Sequence, residues 1–418
     1  MTSSSIIKLY RIIKSPKSFL FFTYAFSFLF SLTPFLSSLM LCCFVVLSVF
    51  HIQKSNMFFM NYKKVILYFS LFLMYLFYMF IPPFFERGIT LVYRILPILI
   101  LPNIIYLTSL HEKLNYKVFK RFYVLGIITS ITISLIGGTY NSVVHDNIQH
   151  LFYYKLCSVL HLHPTYYSLY IITALHFVRS EENRLIKEYK NWIIVLFLIF
   201  IFLLQTKIVL ISLIVYCIII LPKLKRTNLM SRKHFAVLMI FIFIISLKLD
   251  YNRFNEFFKL RTTVEIGNQL EDGVSQRIWL WAEAINQIKE RPWFGYGLGS
   301  QDTIFKWKVE KKLLSSQDSY SYINASKNIS KLNLHNQYLQ IFYELGIIGG
   351  VLFLLSIIFV LVKAVKTNKK DFLYIYIFFL FFMLTENLLE RQMGVYFYAF
   401  ILSCLYFEKG LLSVDNKK

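Results

Sequence analysis

The feature that most constrains this chain is a series of apolar runs that recurs almost to the C-terminus. A helix needs about 20 predominantly apolar residues to cross a bilayer, and few other backbone conformations satisfy their hydrogen bonds in lipid. The sequence therefore predicts an all-α, polytopic membrane protein with about twelve transmembrane helices. The predicted spans are 18–33, 36–50, 65–82, 89–108, 122–138, 165–178, 192–205, 208–222, 235–249, 346–363, 372–388 and 393–408.

The composition agrees with a chain whose main solvent is lipid. Hydrophobic residues make up 57% of the 418 residues and charged residues only 16%, against about 25% charged residues in a typical soluble domain. The net charge of +23 is spread over short loops rather than gathered in one module. This distribution is typical of membrane topology and argues against nucleic acid as a partner.

The placement of Lys and Arg predicts the orientation of the chain. Roughly two dozen of them lie in one set of loops and about four in the other, and positive charge is retained on the cytoplasmic side. Both termini are therefore predicted to be cytoplasmic, with the first span retained rather than cleaved. We expect residues 1–249 to form nine spans, residues 250–345 to form a catalytic loop on the outer face, and residues 346–418 to contribute the last three spans.

The segment 250–345 is too long and too rich in tryptophan for a passive connection. Within it, apolar residues at helical spacing predict a helix over 277–290, which Pro292 ends. Arg277 and Trp281 share one face of this helix because they are four residues apart. The glycines at 295, 297 and 299 predict a tight turn or an anion-binding loop of backbone amides.

A second helix of this segment is predicted to begin at Asn333, a residue type favoured at helix N-caps, and to be interrupted at Gly346. His335 would then lie in its first turn, near the outer membrane surface. A helix N-terminus disfavours a protonated imidazole and favours nearby anions. A neutral histidine base and a bound phosphate are therefore compatible at this position.

These motifs resemble the superfamily of O-antigen ligases and O-antigen polymerases, which share the region called Wzy_C. The resemblance rests on Arg277-Ile-Trp, on Pro292-Trp-Phe-Gly-Tyr-Gly-Leu-Gly-Ser300, and on His335-Asn336 followed after nine residues by Gly346-Ile-Ile-Gly349. It implies an undecaprenyl-diphosphate-linked glycan donor, periplasmic chemistry at the bacterial inner membrane, inversion at the anomeric carbon, and no metal or cofactor. The acceptor it implies is a lipid A–core or a growing glycan.

The resemblance places the essential histidine of the family on His335 and its loop arginine on Arg277. A second family arginine falls on Lys207, which keeps the positive charge but lacks the bidentate geometry of a guanidinium. Asn336 belongs to the same motif. A histidine base can accept the proton of the acceptor hydroxyl, and cations can stabilise the leaving diphosphate. Trp281 and Tyr296 could stack on sugar rings, or could anchor the loop at the membrane interface.

Other polar residues admit two interpretations each. Arg94 lies inside a predicted span, where a charge indicates function unless it snorkels to the interface. Arg391 lies in the last outer loop, either lining the site or paired with Glu386 or Glu390. The motif His161-Leu-His163 suggests zinc, but no third ligand has suitable spacing.

Four functions were compared. An O-antigen ligase is favoured, and a polymerase that uses the same chemistry on another acceptor is the alternative. A flippase or transporter would suit twelve spans, but such proteins tend to show internal repeats and broken helices at the midplane. A scaffolding membrane protein would not depend on His335 or Arg277.

Overall fold

The computed structural model describes residues 16–52, 62–80, 85–111, 114–180, 188–206, 208–209, 212, 273–315 and 333–408. Helices are the only regular secondary structure in these ranges. They are α1 (Pro16–Leu29), α2 (Pro34–Ile52), α3 (Tyr62–Met79), α4 (Phe85–His111), α5 (Tyr116–Val144), α6 (Tyr153–Ser158), α7 (Pro164–Ser180), α8 (Lys190–Leu204), α9 (Gly273–Glu290), α10 (Ile304–Ser315), α11 (Gln337–Lys366), α12 (Lys370–Phe382) and α13 (Gln392–Tyr406).

The all-α class is confirmed for the described residues, and the predicted spans within them overlap helices, although α1 ends at Leu29 and α12 at Phe382, before the predicted ends of the spans 18–33 and 372–388. Three helices are long and apolar enough to cross a membrane: Glu86–Tyr106, Tyr116–Val144 and Gln337–Lys366. The other apolar helices are shorter, and the predicted spans 208–222 and 235–249 fall almost wholly outside the described residues. The number of about twelve spans therefore stays a prediction.

The centre of the bundle forms around α13, whose residues 397–405 are all buried. The ring of Phe400 lies 4.2 Å from that of Phe26 in α1. The ring of Phe397 stacks on Tyr170 of α7 at 5.7 Å, and the Tyr170 hydroxyl donates to the carbonyl of Met393 at 3.0 Å. Because the last helix packs inside the first ones, the C-terminal region is part of the core.

One end of the bundle carries a partly buried charge cluster. Asp371, at the start of α12, accepts a hydrogen bond from Lys120 of α5 and lies 3.0 Å from Nε2 of His176 in α7. Lys120 and Asp371 flank loops that we predict to be cytoplasmic. His163, which precedes α7, is separated from His176 by about 18 Å of helix. The N-terminal end of α7 and the C-terminal end of α12 therefore lie together at the other end of the bundle.

Helix α11 is broken at Gly346, whose φ of 66° and ψ of −168° are accessible essentially only to glycine. The break frees two carbonyl groups from the helical hydrogen-bond pattern. The amide of Tyr296 donates to the carbonyl of Tyr343 at 3.1 Å, and the amide of Gly297 donates to that of Glu344 at 2.9 Å. The predicted interruption of this helix is confirmed, and its partner is the glycine-rich loop.

The glycine-rich loop also accepts hydrogen bonds from the backbone amides that follow the break. Ile347 donates to the carbonyl of Pro292 at 2.7 Å, and Ile348 donates to that of Trp293 at 3.2 Å. A Cβ at Gly295 would lie 2.5 Å from the Glu344 carbonyl oxygen, so only glycine permits this approach. The loop thus joins α9 firmly to α11, and the amides of residues 296 and 297 are not available to an anion.

Residues between α9 and α11 form a second, smaller core. Seven side chains from the two helices and the chain between them are buried together: Leu280, Ala284, Tyr296, Phe305, Val309, Leu334 and Tyr343. The loop segment therefore has its own apolar support. The division of the chain at residues 249 and 345 stays a prediction.

We predict that Gly346→Ala lowers the thermal stability of the purified protein in detergent. A Cβ at this position would lie 2.5 Å from the Gly295 amide nitrogen, and the backbone conformation alone costs an L-residue about 1–3 kcal/mol. Gly88→Ala is the matched control, because its Cβ would approach Met79 no closer than 3.3 Å, at the side-chain Cγ, with the Met79 Cα at 3.4 Å. Equal melting temperatures for both variants would contradict the structural role of the break.

Candidate functional site

His335 occupies a strained position immediately before α11. Its φ is +48°, a left-handed conformation that is uncommon for residues other than glycine. Its amide donates to Oδ1 of Asn333 at 3.0 Å, while Asn336 caps the helix by accepting from the amide of Leu339 at 3.0 Å. The predicted N-cap at Asn333 was therefore wrong by three residues, and His335 lies before the first turn rather than in it.

Glu386 joins His335 to Arg277. Its Oε2 lies 3.3 Å from Nδ1 of His335, and its Oε1 lies 3.5 Å from Nη2 of Arg277. The carboxylate side chain is 8% exposed, whereas the histidine and the arginine are 29% and 33% exposed. A buried acid thus orients two side chains that remain accessible, and with Nδ1 engaged, Nε2 is the ring nitrogen available to a substrate.

The charge of this acid is maintained by its neighbours. Burial by itself raises the pKa of Glu386, but the hydrogen bond with His335 and the electrostatic influence of His335, His163 and Arg277 together hold that pKa below its ordinary value of 4.5. Glu386 is therefore a carboxylate at neutral pH. An ionised partner on Nδ1 stabilises an imidazolium, which is the form a histidine base takes after it accepts a proton.

A hydrogen-bond network holds the segment before α11 in place. The indole nitrogen of Trp281 donates to the carbonyl of Leu334 at 2.7 Å, next to His335. The side-chain amide of Asn387, the neighbour of Glu386, donates to Oδ1 of Asn333 at 2.6 Å. The predicted helix face that carries Arg277 and Trp281 does point toward this segment, and both sides of the His335–Glu386 contact are fixed.

The other predicted residues take different positions. Tyr296 is 3% exposed, stacks on Tyr343 at 4.9 Å and donates its hydroxyl hydrogen bond to Glu290 at 2.7 Å. A ring buried in this way has no face for a sugar, so we do not include it in the site. Lys207 lies outside the described residues.

Two arginines flank the site on the side of the last loop. Nη1 of Arg94 donates to the backbone carbonyl of Glu390 at 2.8 Å. Arg391 is exposed and forms no ion pair within 4 Å with any described residue, so it does not pair with Glu386 or Glu390. Burial and the nearby Asp302 raise the pKa of Glu390 to about 7, although Arg94 and Arg391 act in the opposite direction.

His163 and Tyr154 are additional members of the site. The Tyr154 hydroxyl lies 2.8 Å from Nε2 of His163. Burial lowers the pKa of His163, which also responds to the charges of Glu386, Arg391 and Arg277. The spacing of His161 and His163 suggested only a zinc site, and within the described ranges no group of three or more His, Cys, Asp or Glu residues could hold a metal.

The sequence offered little signal for Glu386 and His163. Glu386 is 51 residues from His335 along the chain, and it was considered only as a partner of Arg391. Its position near the end of the predicted span 372–388 was the one available indication, since a charge inside a span often has a function.

Comparison with known proteins agrees with the geometry. Residues 192–354 match the model of a family described as O-Antigen ligase (Wzy_C), which confirms the resemblance inferred from the motifs. The matched region contains both His335 and Arg277.

Two relatives match shorter parts of the chain. A protein of Rickettsia conorii, provisionally named a polysaccharide ligase, is 32% identical over 104 residues, which is 24% of this chain and 23% of the relative. An uncharacterised protein of Haemophilus influenzae is 25% identical over 147 residues, which is 33% of this chain and 34% of the relative. The matches thus span about a quarter and a third of these relatives.

We predict that Glu386→Gln destabilises the protein most at neutral pH. A carboxyl group whose folded-state pKa is depressed contributes stability above its unfolded pKa, and this contribution is lost as the pH falls through the folded value. The difference in melting temperature between wild type and Glu386→Gln should therefore shrink as the pH falls below about 4.5. Glu86→Gln, at an exposed carboxylate, is the control and should give no such pH-dependent difference.

Proposed function

We propose that this protein is an O-antigen ligase-like glycosyltransferase. In this proposal it moves a glycan from an undecaprenyl-diphosphate carrier to a lipid A–core or similar acceptor on the periplasmic face of a bacterial inner membrane. The observation that carries the proposal is the contact of Glu386 with both His335 and Arg277 at one end of the bundle. This arrangement combines a base, the acid that orients it, and a cation. Glycan transfer from a lipid diphosphate requires these three groups.

In the proposed reaction, the acceptor hydroxyl oxygen attacks the anomeric carbon of the donor sugar. Its proton passes to Nε2 of His335, while Glu386 stabilises the imidazolium through Nδ1. The bond between the anomeric carbon and the diphosphate oxygen breaks, and its electron pair leaves with the diphosphate. Attack opposite to the leaving group inverts the configuration of the carbon.

The leaving diphosphate requires positive charge, and several cations could supply it. The ion pair of Arg277 with Glu386 is long, at 3.5 Å, and the guanidinium is one-third exposed, so N–H groups remain for a phosphate. We include Arg391, Arg94 and Lys207 as further cations of the donor site. Trp281 is partly exposed and offers a ring surface to a sugar.

Asn336 is included with a limited role. Its side-chain oxygen caps α11 through the amide of Leu339, so its contribution is to hold the end of the helix beside His335. The amide of Gln337 donates to the carbonyl of Met383 at 2.9 Å, which holds the same end of the helix in place.

The proposed sidedness rests on the charge distribution of the loops. Lys120 and Asp371 meet at the end of the bundle where the sequence concentrates Lys and Arg, and the His335 contact lies at the other end. The positive-inside rule makes the first end cytoplasmic. The reaction centre would then face the periplasm, where a translocated lipid-linked glycan is accessible.

We predict that His335→Asn abolishes glycan transfer by the purified protein in detergent. Asparagine tolerates the left-handed backbone of this position but provides no base, so the rate should fall by about 10²–10⁴-fold. His161→Asn is the matched control, because His161 is an exposed histidine with a similar φ of 54°. If His335→Asn is folded and transfers glycan at the wild-type rate, the catalytic assignment is wrong.

The glycolipids of a strain that lacks the protein distinguish a ligase from a polymerase. A ligase deletion should leave the core unmodified while long polymer accumulates on the lipid carrier. A single repeat unit on the core would instead identify a polymerase. If the purified protein moves glycolipid across vesicle membranes but forms no glycosidic bond, transport is its function and the proposal fails.

A further inference from the structure

The segment between α5 and α7 is held in a strained conformation beside the proposed site. Tyr153 and His161 both have left-handed backbone angles, with φ of 50° and 54°. The amides of Leu160 and Leu162 both donate to the carbonyl of Cys157, at 3.2 and 3.1 Å, which fixes the turn between them. Strain of this kind persists only where the surroundings enforce it and is concentrated at functional sites. The residues it positions are Tyr154 and His163.

The hydrogen bonds of His163 determine which nitrogen carries its proton. The amide of Thr165 donates to Nδ1 at 3.3 Å, so Nδ1 is an acceptor. Burial lowers the pKa of this histidine, and although Glu386 acts in the opposite direction, Arg391 and Arg277 add to the lowering, so the imidazole is mainly neutral at pH 7. A neutral imidazole carries one proton, which must then be on Nε2. Nε2–H therefore donates to the hydroxyl oxygen of Tyr154 across 2.8 Å.

This assignment determines the direction in which the Tyr154 hydroxyl donates its own hydrogen bond. Because its oxygen accepts from His163, its own O–H cannot point back at that ring and must donate elsewhere. The neighbouring Tyr153 hydroxyl lies beside it and interacts with it. An anionic oxygen is a stronger acceptor than a phenol and would displace that partner. The Tyr154 side chain is 49% exposed, so a ligand can reach it.

The charges around Tyr154 favour an anion as that ligand. Its hydroxyl lies within electrostatic reach of Arg277 and Glu386, and Glu386 is already compensated by Arg277 and His335. Arg391 and Arg277 both act electrostatically on His163, the hydrogen-bond partner of Tyr154. A neutral donor in a region with these arginines is suited to an oxygen that carries or gains negative charge.

We propose that Tyr154, held by His163, donates a hydrogen bond to the diphosphate of the lipid-linked donor and stabilises it as it leaves. This inference rests on the proposed function and adds a leaving-group residue to it. Tyr154 keeps its proton throughout: the electron pair of the breaking glycosidic bond passes to the diphosphate oxygen, whose charge the O–H then stabilises.

The test measures pyrophosphate binding and glycan transfer separately with the full-length protein in detergent. Tyr154→Phe removes the hydroxyl and retains the ring, so it should weaken binding of inorganic pyrophosphate by about tenfold or more. It should reduce the transfer rate at saturating acceptor without changing the KM for the acceptor. Tyr140→Phe is the control and should match wild type, since Tyr140 is 67% exposed and lies in α5, outside the site.

A second variant protects the test against misfolding. His163→Asn withdraws the imidazole that orients Tyr154, and it should weaken pyrophosphate binding by a smaller factor than Tyr154→Phe. In the Tyr154→Phe background, the same change should have no further effect on binding. Unchanged pyrophosphate affinity in either folded single variant overturns the inference.

The two proposals fail in different ways. If wild type transfers glycan and Tyr154→Phe both transfers and binds pyrophosphate normally, only the role of Tyr154 is wrong. If wild type transfers no glycan to any acceptor lipid, the proposed function fails. In that case the pyrophosphate affinities still decide whether Tyr154 contacts a diphosphate.

Discussion

The backbone contact between the glycine-rich loop and the break in α11 is the constraint on which the part of the molecule that carries the candidate site depends. Gly346 turns the chain out of the helical path, and the loop from Pro292 to Gly297 satisfies the amides and carbonyls that the turn exposes. These four hydrogen bonds lock α9 against α11. Arg277 and Trp281 on α9 therefore face the residues that precede α11, including His335. A helix that continued straight through Gly346 would have no unpaired groups to bind the loop.

A second constraint is the burial of Glu386 beside two cationic partners. Its carboxylate is nearly inaccessible, and an uncompensated charge in that position would be costly. His335 and Arg277 supply the compensation while keeping about a third of their own side chains exposed. The same contacts that stabilise the acid thus present a base and a cation at the surface. Stability and the proposed chemistry depend on the same three groups.

The polar residues of the site come from α9, which carries Arg277, and from three further regions of the chain, and each is held by different neighbours. The turn after α5 carries Tyr154 and His163, the segment before α11 carries His335, and the loop after α12 carries Glu386. Hydrogen bonds between side chains and backbone, such as that of Trp281 with Leu334, join these regions. The geometry of the candidate site is therefore defined at the ends of helices rather than along their apolar faces.

The amino-acid sequence by itself determined the elements whose cause is local. Apolar runs specify helices because lipid and core both exclude unpaired backbone groups, Pro292 ends α9, and Gly346 breaks α11 because it lacks a Cβ. The motif around His335 was sufficient to indicate the ligase family. Tertiary structure alone decided the partners of these residues. It paired Glu386 with His335 and Arg277 rather than with Arg391, buried Tyr296 in a small core, and brought His163 to the site. These outcomes depend on contacts between residues that are far apart in the chain. Charge and packing compete in such contacts, and no local sequence pattern indicates the result.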